Sequence, residues 1–170
     1  RNFILPLAGG CYVEVVAALD HPASEKAPFG QAVSRRAADG GGWLSWVVAV
    51  DDISPMEARL GREARPGHRI RPDGHDLNWK QLGVIDVMAD PQLPFFVEWQ
   101  CDATEHPSAG AGPVSIGRIE IAGDPDTISV WLGEPKDHPL DDISVEWVDA
   151  DEQGLVAVWF ETPVGSVRID

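Results

Sequence analysis

Two stretches of the 170-residue chain lie over one another without a gap: WVVAVDDISPMEARLG at 46–61 and RIEIAGDPDTISVWLG at 118–133. Each reads as an apolar strand, an acidic turn, a short helix and a closing Leu-Gly. Asp52 falls on Asp124, Leu60 on Leu132 and Gly61 on Gly133. A repeated unit must bury its apolar face against a copy of itself or a neighbour, so the repeat restricts the fold more than composition does. A second match joins CYVEVV (11–16) to FFVEWQ (95–100), with Tyr12 over Phe96, Val13 over Val97 and Glu14 over Glu98. In both, one carboxylate interrupts an otherwise apolar strand.

The remaining elements arrange themselves around these matches. Apolar runs at 2–7 and 11–17, split by Ala8-Gly9-Gly10, predict a hairpin. Helix formers at 30–39 run into Gly40-Gly41-Gly42, which stops them. The run 43–50 predicts a strand, and Ser54 with Pro55 and Glu57 predicts a capped helix ended by Gly61. Residues 62–74 are basic and rich in turn formers, which predicts a loop. Alternation of Leu77, Trp79 and Leu82 predicts a half-buried strand, followed by a helical turn at 84–89, a strand at 95–100 and a linker at 102–113. A strand at 114–122, a helix capped by Asp124, and strands at 143–148, 155–161 and 165–169 complete the chain. The order is ββ, βαβββ, βαβββ. This is an α+β protein, with the last two strands of a truncated module at 1–20, a middle module at 43–101 and a C-terminal module at 113–170. Because the chain opens in a strand pattern at Arg1, a preceding N-terminal piece is expected.

Charge narrows the partners. Against 13 Lys and Arg stand 28 Asp and Glu, a net charge of -15. Such a surface repels phosphate backbones and anionic lipid heads, so neither nucleic acid nor membrane is an expected partner. No run reaches the roughly 18–20 apolar residues of a membrane span. Cys11 and Cys101 form no CxxC or zinc pattern and read as buried thiols of a cytoplasmic protein, with one bridge between them left open. GxSxG, Walker, GxGxxG and HExxH signatures are absent, which disfavours serine-hydrolase, P-loop and Rossmann chemistry.

Strand parity groups the candidate site residues. Tyr12, Glu14 and Val16 share one face, and Phe96, Glu98 and Gln100 share another. On a cavity wall, each acid would have to be paired, protonated or metal-bound, and a raised pKa would suit a general base. On an outer face they are ordinary surface acids. Trp46, Trp79 and Trp99 read equally well as cavity wall or as core. His75 and the stretch Arg65, His68, Arg69 and Arg71 would suit an anionic substrate, although ion pairing with the abundant acids is the stronger expectation. Arg71-Pro72-Asp73-Gly74 reads as a turn. His21, His106 and His138 each precede proline and read as structural loop residues.

The segments GGCYVEVVA, GGGWLSWVVAVDDI, RIRPDGHDLNWKQLG and LPFFVEWQ, with their spacing, resemble the glyoxalase-like branch of the vicinal-oxygen-chelate superfamily. This grouping includes glyoxalases, bleomycin-resistance proteins and dihydroxybiphenyl dioxygenases. The resemblance implies repeated βαβββ modules that form a curved, incomplete β-barrel around a cavity. It implies a lyase, isomerase or dioxygenase acting on an oxygen-rich metabolite, with one divalent metal ion (Zn, Ni, Fe or Mn). The alternative it carries is a metal-free protein that binds or sequesters a small molecule. Family metal ligands come from the first and fourth strands of each module. Glu14 and Glu98 fall on fourth-strand positions and are the implied metal ligands and catalytic acids. Tyr12, Trp46, Trp79, Trp99, His75 and Arg71 are the implied cavity residues. Trp46 and Arg118 occupy the first-strand positions, where neither can ligate a metal in the ordinary way. Modules of this kind close the same cavity within one chain or across a homodimer.

Overall fold

The computed structural model describes residues 2–17, 26–71 and 73–170. Arg1, His21, Pro72 and positions 18–20 of the expected N-terminal module lie outside the described residues. In chain order the elements are β1 (Asn2–Pro6), β2 (Tyr12–Val16), α1 (Pro28–Ala38), β3 (Val47–Ala49), α2 (Ser54–Leu60), β4 (Arg65–Ile70), β5 (Asp76–Leu82), α3 (Val84–Ala89), β6 (Phe95–Trp99), β7 (Ser115–Ala122), α4 (Pro125–Leu132), β8 (Ser144–Val148), β9 (Gly154–Thr162) and β10 (Gly165–Ile169).

Among the described residues these strands form three sheets: the hairpin β1-β2, a middle sheet β3-β6-β5-β4 and a C-terminal sheet β8-β7-β9-β10. None closes into a barrel. In the middle sheet β3 runs parallel to β6, while β5 is antiparallel to both β6 and β4. In the C-terminal sheet β7 is central, parallel to β8 and antiparallel to β9. Both sheets are built from a strand, a helix and three further strands, with α3 inserted before β6 in the middle one, but their ladder orders differ.

The matched segments behave alike where local chemistry rules. The Asp52 side chain accepts a hydrogen bond from the Ser54 amide at 2.9 Å, and Asp124 accepts one from the Asp126 amide at 3.1 Å. Gly61 and Gly133 close their helices at φ of 64° and 75°, a left-handed region open to glycine at little cost. The capping box expected at Ser54 does not form. Ser54 is already helical, Ile53 holds the cap position, and the Glu57 carboxylate instead accepts the Ala64 amide at 2.7 Å.

Two further expectations need correction. Strand β3 is only Val47–Ala49, a short parallel edge whose approach through Trp46 is irregular. The loop expected at 62–74 contains β4, paired with β5 from Arg65↔Gln81 to Ile70↔Asp76. Pro66 and Gly67 argued against a strand, but β4 is an edge, where a missing N–H costs no ladder bond on the solvent side. Both cysteines are free thiols, each half-buried, and burial pushes both above the usual thiol range.

One apolar core spans the two larger sheets, with Ile53, Phe96, Ile121, Ile128 and Leu132 at its centre. Trp131 of α4 stacks on Phe96 at 6.3 Å and donates its indole N–H to the Pro94 carbonyl at 2.8 Å. Arg59 of α2 donates to the terminal carbonyls of α4. Gln92 joins the halves as well, since its side-chain oxygen accepts the Asp124 amide at 2.7 Å. The hairpin is tied on by Leu7 in the core and by the Ala8 amide donating to Val114 at 2.8 Å.

Candidate functional site

Pairing in the middle sheet sorts its side chains onto two faces, because directly opposed residues project the same way. Val48, Phe96, Leu82, Lys80 and Glu98 share the face that receives the start of α2. Val97, Trp99, Gln81, Trp79 and Gly67 share the other.

That second face carries an aromatic wall. Trp79 lies directly opposite Trp99, with ring centroids 5.3 Å apart and planes tilted by 54°. The hairpin brings Tyr12 edge-on to Trp99 at 6.2 Å. His106 closes the group, 6.0 Å from Tyr12 and 5.7 Å from Trp99, both edge-to-face. Such offset contacts match ring edges to π faces. Gly67 is required here: the Trp79 indole lies where a β-carbon on residue 67 would stand. The indole N–H of Trp79 donates to the Gln81 side chain at 3.2 Å.

Burial makes the wall apolar in its effect on titration. The Tyr12 hydroxyl is pushed up to about 12, first by desolvation and then by the nearby Glu14 charge. Desolvation holds His106 below the ordinary histidine range, so its ring is biased to the neutral form. The Trp99 indole N–H is sealed from solvent without a well-aligned acceptor, although its influence on the Tyr12 hydroxyl offsets part of that rise.

Of the two candidate acids only Glu98 lies on the opposite face, while Glu14 shares the Tyr12 face of β2 and its charge raises the Tyr12 hydroxyl. Glu98 is 14% exposed on the opposite face of β6, accepting the Ile53 amide at 2.9 Å and pairing with Lys80 at 3.0 Å. The backbone hydrogen bond first, then Lys80, hold its carboxyl below the usual range, the reverse of a raised-pKa general base. Glu14 is exposed on β2 and accepts a hydrogen bond from the Asn2 side chain.

Of the other expected cavity residues, Trp46 belongs to the core. It is 7% exposed and donates its N–H to the Gln92 carbonyl at 3.0 Å. His75 pairs with Glu105 at 2.9 Å, and Arg71 pairs with Asp73 at 3.0 Å in the β4–β5 turn. His68 pairs with Asp76 at 3.0 Å. Sequence reasoning missed His106 as a wall residue. It sits in the segment read as a linker, and no periodicity marks a side chain docked by a loop. A shallow cleft of about 150 Å³ between α1 and α3, lined by Ala32, Arg35, Leu44, Val87, Met88 and Pro91, shares none of these groups.

A divalent ion does not fit the residues at the implied ligand positions. Glu98 is committed to Lys80 and a backbone amide, and Glu14 projects from a different sheet. Trp46 is buried in the core, and Arg118 pairs with Glu146 at 2.9 Å. Among the described residues no three His, Cys, Asp or Glu side chains gather as a metal site would require.

The α+β arrangement of curved sheets is that of the vicinal-oxygen-chelate class, to which the family match assigns the chain. Within that class the chain belongs to the glyoxalase-like domain family, whose model matches residues 1–135. A crystal structure of a hypothetical protein from Staphylococcus aureus is similar over 94% of this chain and 76% of that one, with a TM-score of 0.66 and 14% identity. That likeness concerns the fold alone. No curated protein matches the chain.

Proposed function

We propose that this glyoxalase-like chain binds a small aromatic molecule on the wall formed by Tyr12, Trp79, Trp99 and His106, without a metal ion. What supports this reading is the convergence of four rings from β2, β5, β6 and the 102–113 segment on one sheet face, while Glu98 lies on the opposite face and Glu14 is exposed at the hairpin and bonded by Asn2. Aromatic walls with few polar groups are the usual lining of small-molecule sites. Their rings contribute through stacking and buried area. The neutral Tyr12 hydroxyl and neutral His106 would supply oriented hydrogen bonds at the rim. A lyase, isomerase or dioxygenase reading asks for acids poised at the substrate, and Glu98 is consumed by structural bonds.

The test is calorimetric titration of the chain with a panel of neutral aromatic metabolites, with and without added divalent metal. Binding is expected to be insensitive to metal, weakened at least about ten-fold by Trp79→Ala, and unchanged in Glu14→Gln and Glu98→Gln. Metal-dependent binding that is lost in either glutamate variant would remove the proposal.

A further inference from the structure

Five arginine and histidine side chains cluster from residue 65 to residue 75, and the structure divides them. His68, Arg71 and His75 have acid partners. Arg65 and Arg69 are exposed and have neither an ion pair nor a hydrogen bond among the described residues. Among the described residues Arg35 and Arg59 also have no acid within ion-pair distance, so what sets Arg65 and Arg69 apart is their place on the sheet.

Their position ties them to the wall. Arg65 pairs in register with Gln81, Gly67 with Trp79 and Arg69 with Leu77, so both arginines lie on the Trp79 face of β4. They stand about 13 Å apart along the strand, one on each side of the Trp79 indole. The partnered histidine, His68, is on the opposite face, opposed to Asn78. An arginine beside an aromatic surface can hold a carboxylate through parallel N–H donors while the ring carries the apolar part of the ligand.

From this we infer that the ligand class is an aromatic carboxylate, with its ring against Trp79 and its anionic group held by Arg65, Arg69 or both. This rests on the aromatic wall being the binding site. It gives a role to two exposed cations that have no acid partner among the described residues, and it explains how a protein of charge -15 would accept an anion. The favourable field is local, and exposed guanidiniums are screened by salt.

The experiment is isothermal titration calorimetry of the full chain with three isosteric probes: 2-naphthoate, 2-naphthylmethanol and 2-naphthylmethylammonium. Naphthoate should bind at least about ten-fold tighter than the alcohol, as a charge-assisted hydrogen bond implies, and the ammonium probe weakest. The double variant Arg65→Gln/Arg69→Gln should bring naphthoate down to the affinity of the alcohol and leave the alcohol unchanged. Both positions are exposed, so the fold should be retained. Equal binding of naphthoate and alcohol, or a preference that survives in the double variant, overturns the anion inference while the wall itself stands. If none of the three probes binds at millimolar concentration, the wall fails as a site and the inference goes with it.

Discussion

The middle and C-terminal sheets are built from like elements but dispose of their polar groups in opposite ways. In the C-terminal sheet every charge near the outer aromatic ring is used internally. Glu120, 9% exposed, accepts two guanidinium bonds from Arg168 at 2.8 and 3.0 Å and the Trp159 indole N–H at 2.6 Å. Arg118 lies over the Trp159 ring at 4.2 Å and pairs with Glu146. In the middle sheet, Trp79 and Trp99 face Tyr12 and His106, and Arg65 and Arg69 stay unpaired beside them. A satisfied network makes a wall that only holds itself together. An unsatisfied one keeps donors available for something else. The difference follows the ladder: Glu120 lies on the interior strand β7, where Arg168 reaches it across β9, whereas Arg65 and Arg69 lie on β4, an edge strand with a neighbour on one side only.

The largest test of this contrast compares matched positions. Trp46→Ala should destabilise the fold by about 3–5 kcal/mol in urea denaturation, because it empties a buried aromatic site. Arg118→Ala, at the corresponding place in the repeat, should cost below about 1 kcal/mol, since its ion pair is solvent-exposed. Equal losses would mean that the two positions are not differently used.

Next in size is Glu120→Gln, expected to cost about 2 kcal/mol at neutral pH. Breaking a buried pair costs more, but Arg168 is 35% exposed and keeps water as a partner. Arg168 and then Trp159 lower the Glu120 carboxyl to about 2 from an ordinary 4.5. A depressed carboxyl stabilises the fold above its unfolded pKa, so this contribution should fade as pH falls from 4.5 towards 2, and Glu120→Gln should flatten that slope. Glu98→Gln should show the same sign over acid pH with a smaller loss, about 1 kcal/mol, because glutamine can still accept the Ile53 amide. Aromatic-ligand affinity should not change.

The smallest effect is spectroscopic. Tyr12 is the single tyrosine, so near-ultraviolet tyrosinate absorbance reports it alone. Its ionisation should come at about 12 in the folded chain, and Glu14→Gln should lower it, since the Glu14 charge is part of the cause. Because the folded value lies above the ordinary 10, the stability it contributes is present below 10 and is lost as pH rises towards 12. Ionisation at the ordinary value would show that the Tyr12 hydroxyl is not buried where the hairpin meets Trp99.

Much of the fold was legible in local signals. Asp52 and Asp124 form the same turn because a short acceptor two residues before an amide needs no tertiary help. Gly61 and Gly133 end their helices for a reason carried within one residue. Strand β4 was not legible: its Pro-Gly pair and charges signal a loop, and only pairing with β5 makes it a strand. The match of Glu14 to Glu98 was real in sequence and misleading in space. One carboxylate lies on a two-stranded hairpin, while the other is on an interior strand beneath a helix start. Tyr12, Trp79 and Trp99, which the resemblance implied as cavity residues, meet in one aromatic group, whereas Trp46 lies in the core and His75 and Arg71 are ion-paired in loop and turn.

By itself the sequence determined most of the succession of strands and helices, the glycine ends of α2 and α4, and the glyoxalase-like character of residues 1–135. These follow from hydrophobic period and turn chemistry acting over a few residues. Tertiary structure alone decided which faces meet: the docking of the hairpin on β6, the edge position of β4, and the pairing of some charges but not Arg65 and Arg69. Alternation tells which side chains share a face of a strand, but the register between distant strands tells what that face looks onto.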